Sequence, residues 1–237
     1  MSWPVISVII PTYNHASSLG ETIESVLRQE GVELELIVVN DGSTDQTREL
    51  LNAYQEHPNI TIIHQENAGR NPARNRGFRE AIGDQLIFLD ADANLDTDAL
   101  FKLSQALRGS GASFAYGDFK YGFAHFKTGP FSVDRLHKMN YVHIAALIRR
   151  SDFPGLDEAI KRFQDWDLWL TIVERGGYGV YVPGETMRFS TQERGISSWM
   201  PKSWYHAPWK WLPWIRSRAR AYQAAKRIIQ KKHSLTS

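Results

Sequence analysis

Apolar and polar positions along this chain fall into alternating blocks. Val5-Ile6-Ser7-Val8-Ile9-Ile10 is a β-branched run of strand length that Pro11 should stop, and Ser18 to Gln29 follows with Leu19, Ile23, Val26 and Leu27 at helical spacing. Leu34 to Val39 reads as a second strand ending on Asn40-Asp41-Gly42-Ser43, with a helix from about Asp45 to Gln55 and Thr44 near its N-cap. Ile60 to Ile63, then Asn71 to Ile82, then Leu86 to Leu89 give a third strand, a third helix and a fourth strand. Strands alternating with helices predict a parallel α/β sheet. The near-continuous apolar strands agree, because such a sheet is covered on both faces. Ligands of such sheets sit beyond the carboxyl ends of the strands. Thr12-Tyr13-Asn14, Asp41-Gly42-Ser43 and Asp90-Ala91-Asp92 all lie there.

Beyond about Ala112 the pattern loosens into short runs, Phe114 to Tyr116 and Ile144 to Ile148, among aromatic and glycine-containing loops. A helix over Asp165 to Arg175 stopped by Gly176-Gly177, and a strand over Gly179 to Val182, complete the expected elements. With no internal repeat or low-complexity linker, the expected organisation is one catalytic domain over 1–193, divided into halves 1–111 and 112–193, and a tail over 194–237.

Composition changes the picture in two places. The 237 residues include no cysteine, which removes disulfide frameworks and cysteine-ligated metals. Net charge is only +2, but residues 194–237 carry 10 of the 28 Lys and Arg and none of the 26 Asp and Glu, leaving −8 on the preceding body. A basic tail on an acidic body predicts an anionic partner for the tail. The start, Met1-Ser2-Trp3-Pro4, lacks the basic and apolar regions of a secretory signal, and no run approaches ~20 apolar residues, so a cytoplasmic chain without a membrane span is expected.

The chemistry concentrates at the strand ends. Asp90 and Asp92, one residue apart after a buried strand, can share a divalent cation, and hard oxygen ligands suit Mg²⁺ or Mn²⁺. The same triplet is also an ordinary solvated turn. Asp41 can accept hydrogen bonds from a base or ribose, or serve as an Asx-turn residue. Tyr13 can stack on a base. Asn67-Ala68-Gly69-Arg70 places a glycine-containing loop before a basic helix start, a combination suited to an anion. Arg74 and Arg76 point to different faces, so at most one reaches a ligand.

Taken together, Val8 to Asn14, Val38 to Asp45, Asn67-Ala68-Gly69 with Ala73 to Gly77, and Phe88 to Asp92 resemble family 2 glycosyltransferases of the A-type fold. Order and spacing match through residues 5–92, and more loosely to about 191. The resemblance implies an A-type fold, a Rossmann-like mostly parallel sheet with an acceptor-binding half and a helical tail. It implies a nucleoside, usually uridine, held by Pro11, Tyr13 and Asp41, with Arg70 at the diphosphate. Asp90 would contact ribose or metal, and Asp92 the metal, Mn²⁺ or Mg²⁺. Phe163-Gln164-Asp165-Trp166-Asp167 looks like the family's acidic segment, which makes Asp165 the catalytic base of an inverting displacement. Gln164 stands where the family usually has glutamate. Met187-Arg188-Phe189-Ser190 lacks the usual nearby histidine, leaving a third protein metal ligand unassigned. Without the Gln-x-x-Arg-Trp motif of processive synthases, one transfer per encounter is expected.

The expected partners are a nucleotide sugar, UDP-linked by preference, and a saccharide or lipid-linked acceptor of surface polysaccharide or lipopolysaccharide assembly. In the tail, Trp199, Trp204, Trp209, Trp211 and Trp214 fall within 16 residues, interleaved with Lys202, Lys210, Arg216 and Arg218. This combination suits an anionic membrane surface at the cytoplasmic face, or packing on the catalytic body, with a basic helix over Leu212 to Gln230. Nucleic acid is not an expected partner, given the acidic body. A binding-only module and a metal-dependent nucleotidyltransferase are the rival readings. The latter usually has a glycine-rich phosphate loop after the first strand, which is absent here. An NAD-dependent oxidoreductase is disfavoured because Pro11-Thr12-Tyr13-Asn14-His15 replaces G-x-G-x-x-G.

Overall fold

The computed structural model describes residues 4–189 and 213–235, the latter with backbone alone over 213–219. The N-terminal half runs β1 (Val5–Thr12), α1 (Leu19–Leu27), β2 (Glu33–Asp41), α2 (Thr47–Asn52), β3 (Ile60–Gln65), α3 (Arg70–Glu80) and β4 (Gln85–Phe88). After the acidic turn come β5 (Ala93–Leu95), α4 (Ala99–Ser110), β6 (Phe114–Tyr121), β7 (Ala124–Phe126), α5 (Val133–Lys138) and β8 (Leu147–Arg149). A 3-10 turn (Arg150–Asp152), α6 (Gln164–Glu174), β9 (Gly179–Phe189) and α7 (Pro213–Lys232) follow.

One sheet runs through both halves in the order β3-β2-β1-β4-β8-β6-β9-β5, with β7 paired to β6. Its first four strands are parallel, as expected. From β4 to β8 the direction reverses, and only β6 and β9 are parallel beyond that point. Alternation along β1 explains the two covered faces. Ile6, Val8 and Ile10 join Leu19, Ile23 and Val26 of α1 and Leu100, Leu103 and Leu107 of α4 in one core. Ile9 faces the other core, with Ile37, Val39, Phe88, Trp166 and Trp169. Gly77 of α3 lets that helix sit directly on the sheet, since a Cβ there would meet Ile9 Cγ2 at 2.5 Å.

Some expected boundaries are corrected. Pro11 does not end β1, which continues to Thr12 beside β2. Leu89 N donates to Ile9 O, so Pro11, two residues on, also faces the β4 side, just past the point where β4 ends at Phe88. No ladder donor is lost there. Helix α2 starts at Thr47 rather than Asp45, and its first turn is tied by Asp45, whose Oδ1 accepts from Thr47 N at 3.0 Å and Thr47 Oγ1 at 2.6 Å. Thr44 is taken up elsewhere, donating through its backbone to Asn14 Oδ1 at 2.7 Å. The Gly179 strand extends to Phe189 because a bulge near Asp118 keeps it in step with β6.

Candidate active site

The three polar strand ends converge as the topology requires. Asn14, in the left-handed region at φ 57°, is the staple between the first two. Its Oδ1 accepts from the Thr44 and Asp45 amides, and its own amide donates to Ser43 Oγ at 3.0 Å. Asp45 returns the link by accepting from Ala16 N at 3.0 Å. Beside this lacing Pro11 is partly exposed and Tyr13 is 45% exposed, leaving its ring open for stacking.

Asp41 ends β2 almost fully buried, and its carboxylate organises the loop before α3. Oδ1 accepts from Gln65 Nε2 at 2.7 Å and Ala68 N at 2.8 Å, while Oδ2 accepts from Gly69 N at 2.8 Å. Three of its roughly four acceptor positions are therefore filled from within the chain. The adjacent Gly42 is required by this approach: its φ is +74°, and a Cβ would meet Asn67 N at 2.7 Å.

The acidic turn is held by both neighbouring helices. Ala91 O, between the two aspartates, accepts from Ser18 Oγ at 2.9 Å and Thr22 Oγ1 at 3.0 Å. From the other side Arg74 of α3, 3% exposed, places its guanidinium 2.7 Å from Asp90 Oδ1. Arg76 points outward and pairs with Glu80 at 3.1 Å, so of these two arginines only Arg74 faces the site. Burial works against charge on Asp90, but the Arg74 guanidinium, by charge and by hydrogen bond, and Arg70 outweigh it and hold its pKa below the usual value. Asp92 goes the other way: burial and the neighbouring Asp90 charge raise its pKa, against weaker opposing pulls that include His15 and Arg70. Arg70, the first residue of α3, thus acts electrostatically on both carboxylates.

Sequence reasoning missed His143 entirely. Its Nε2 lies 3.8 Å from Asp90 Oδ2, and its ring packs against Phe189 at 4.8 Å and Phe119 at 5.6 Å between centroids. Nδ1 accepts from Ala145 N at 3.1 Å, which puts the ring hydrogen on Nε2, the nitrogen facing Asp90. No sequence motif marks this residue; only the antiparallel return of β8 beside β4 brings it to the acidic turn.

Asp165 lies in the first turn of α6, partly exposed, its Oδ1 accepting from Trp166 N at 2.9 Å. It does not cap the helix: that position belongs to Phe163, in the left-handed region at φ 61° and with no side-chain cap. Two indoles fix α6 instead, Trp166 Nε1 donating to Leu136 O at 2.7 Å and Trp169 Nε1 to Val142 O at 2.9 Å. The second bond ends one residue before His143, so the base candidate and the acidic turn are tied to one segment.

For a divalent cation the fit is that of a site completed by substrate. Among the described residues no group of three or more His, Cys, Asp or Glu side chains could hold a metal. Asp90 and Asp92 are two hard oxygen donors, one anionic and one raised by its neighbour's charge, the condition that a cation relieves. Mg²⁺-type ions are commonly held by one or two carboxylates with phosphate oxygens supplying further ligands.

The sheet order and the strand-end acidic site define an A-type glycosyltransferase fold. Residues 7–155 match the family model for Glycosyl transferase family 2, and the chain belongs to that family. It is 35% identical over 178 residues to a PGL/p-HBAD biosynthesis glycosyltransferase of Mycobacterium bovis, covering 70% of this chain and 69% of that protein. It is 44% identical over 88 residues to the uncharacterized glycosyltransferase YibD of Escherichia coli, a match spanning 37% of this chain and only 26% of the relative. Staphylococcus aureus TarS 1-349 has the same fold, with TM-score 0.66 at 19% identity, covering 78% of this chain and 60% of that one.

Proposed function

We infer that this chain transfers a sugar from a nucleoside-diphosphate sugar, with UDP as the favoured nucleotide, to an acceptor hydroxyl, inverting the anomeric centre. The observation that carries the reading is the Arg74–Asp90–Asp92 turn at the end of β4, with Asp165 tied to the same segment through Trp169. A related fold, TarS 1-349, was crystallised with UDP-GlcNAc, which supports a donor of this class.

In this reading Tyr13 and Asp41 hold the base and ribose beside Pro11, while Arg70 and the amides at the start of α3 meet the diphosphate. Asp90, kept anionic by Arg74, and Asp92 would hold Mn²⁺ or Mg²⁺, which when bound neutralises the diphosphate as a leaving group. Asp165 takes the proton of the acceptor hydroxyl as its oxygen attacks the anomeric carbon. The bond from that carbon to the diphosphate oxygen breaks, its electron pair leaving with the diphosphate. One displacement from the opposite face inverts configuration. With no processive motif, each encounter transfers one sugar.

The acceptor is proposed to be a saccharide or lipid-linked intermediate of surface polysaccharide or lipopolysaccharide assembly, on analogy with the family; the mycobacterial relative is named for PGL/p-HBAD biosynthesis. The basic tail would keep the chain at an anionic cytoplasmic membrane face. Trp199, Trp204, Trp209 and Trp211 lie outside the described residues, as does the side chain of Trp214.

The test is anomeric analysis by NMR of product formed from an α-linked UDP-sugar. A β-linked product supports the reading; retained configuration, or nucleotide sugar bound but never transferred, contradicts it. The second outcome would favour a binding module.

A further inference from the structure

The end of α7 is buried against the acceptor half. Ile229 is fully buried, the His233 side chain is 1% exposed, and Leu235 packs on the core that contains Trp166 and Trp169. Tyr222 meets Phe163, the residue preceding α6, edge-on at 5.1 Å between centroids. Arg220, Arg227 and Lys231 face outward. A helix held by apolar contact alone would need no more than this.

The polar contacts are more specific. Lys232 Nζ bridges Asp157 Oδ2 at 2.7 Å and Asp167 Oδ2 at 2.9 Å. His233 Nε2 lies 2.9 Å from Asp167 Oδ1, and its Nδ1 lies 2.8 Å from Glu174 Oε1. A carboxylate oxygen only accepts, so both ring nitrogens carry hydrogen and His233 is an imidazolium. Asp167 and Glu174 are two turns apart on one face of α6, so this ring ties the first turn of the helix to its last. The groups facing it are Asp167 and Glu174 from α6 and its neighbour Lys232, with Asp157 on the far side of Lys232.

The same contacts continue to the donor side. Asp157 O accepts from Asn71 Nδ2 at 2.8 Å, and Asn71 Oδ1 accepts from Arg74 at 3.4 Å, the arginine that holds Asp90. Lys232 and His233 thus grip α6 two residues from Asp165, where the helix has no side-chain cap, and join that grip to the acidic turn. A base must be placed within a fraction of an ångström of its task, since about 1 Å of displacement costs roughly 100-fold.

The geometry points to Lys232 and His233 as positioning residues of the transfer reaction, fixing the first turn of α6 and with it Asp165 while touching no substrate. The inference rests on the reading of Asp165 as the base. It is tested in the full chain with His233→Gln, Lys232→Met and Lys232→Arg. Turnover, UDP affinity by calorimetry and amide exchange over residues 163–170 are read together.

The expected result is a kcat loss of roughly 10- to 100-fold in His233→Gln and Lys232→Met, UDP affinity within about twofold of wild type, and faster exchange over 163–170 with residues 5–12 and 33–41 unchanged. Lys232→Arg, able to bridge the same two carboxylates, should recover most of the rate. The wild-type advantage over His233→Gln should shrink as pH rises and the imidazolium is lost. Should His233→Gln fail to fold, the Lys232 pair carries the same comparison. Variants that only melt earlier, with kcat and exchange over 163–170 unchanged, would overturn the inference. If the wild type transfers nothing, the transferase reading fails by itself, and exchange over 163–170 then decides alone whether the tail orders this turn.

Discussion

The two halves of the sheet hold their functional carboxylates by different means. On the N-terminal side Asp41 and Asp90 stand at the ends of parallel strands, and each is fixed from an adjoining element of the same half: Gln65 at the end of β3 and the Ala68 and Gly69 amides before α3 for one, Arg74 of α3 for the other. In the other half Asp165 rides on a helix held from both directions along the chain, by Leu136 and Val142 about as near in sequence as the partners of Asp41, and by Lys232 and His233, which lie 65 and 66 residues beyond Asp167. Local fixation makes the donor site a property of the strand–loop–helix unit. Remote fixation makes the placement of Asp165, the proposed base, a property of the whole assembled chain, and exposes it to changes in the tail.

The largest expected effect falls on chemistry alone. Asp165→Asn should lower kcat by about 10²–10⁴-fold and leave UDP affinity unaltered, separating the halves cleanly. A parallel loss of UDP binding would show that the two sides are not independent.

Arg74→Met strikes this side at the Arg74–Asp90 ion pair. Removing the partner of a mostly buried carboxylate costs about 3 kcal/mol, which for a chain of this size lowers Tm by roughly 10 °C. Asp90 should also lose its depressed pKa, so donor affinity should fall more steeply on acidification than in wild type. A Tm within a degree or two of wild type would mean that Asp90 needs no such partner. His143 sharpens the same side. His143→Gln keeps an N–H where Nε2 stands and should retain donor affinity better than His143→Phe, measured by UDP-sugar titration. Equal losses in the two variants would leave only packing against Phe119 and Phe189 as its role.

The smallest effect concerns the tail and depends on pH. Burial disfavours charge on His233, but hydrogen bonds to Asp167 and Glu174 and their charges outweigh it, raising its pKa above the ordinary 6.5. A raised histidine contributes stability that is fully present below 6.5 and is lost as pH rises through the folded-state value. The Tm difference between wild type and His233→Gln should therefore be a few degrees under acidic conditions and shrink toward alkaline pH. A difference independent of pH between 5.5 and 9, on the order of the span flanking both states, would remove the imidazolium from the account.

What could be read from the sequence follows the same division. The first four parallel strands were legible because burial on both faces makes them continuous apolar runs, and because Asp41 and Asp90 follow them directly. Even the choice between Arg74 and Arg76 was legible as an alternative, since two residues apart on a helix cannot share a face; which one turned inward needed the sheet. The acceptor half was less so. His143 reaches Asp90 only through the antiparallel β8, a pairing that no local pattern announces. Nothing in the sequence singled out His233, three residues past the expected basic helix, because its carboxylate partners lie 66 and 59 residues away. Thr44 was expected near the cap, but α2 begins three residues later and Asn14, in another loop, takes up both its hydroxyl and its amide.

The most direct test of the account is a thermal-shift titration of the wild type and Asp92→Ala with UDP-sugars, each with and without Mn²⁺. Metal-dependent stabilisation of the wild type by one or two donors, lost in Asp92→Ala, is the predicted result. Stabilisation that ignores both the metal and the substitution, or no response to any donor, would contradict a donor site built on the Asp90–Asp92 turn.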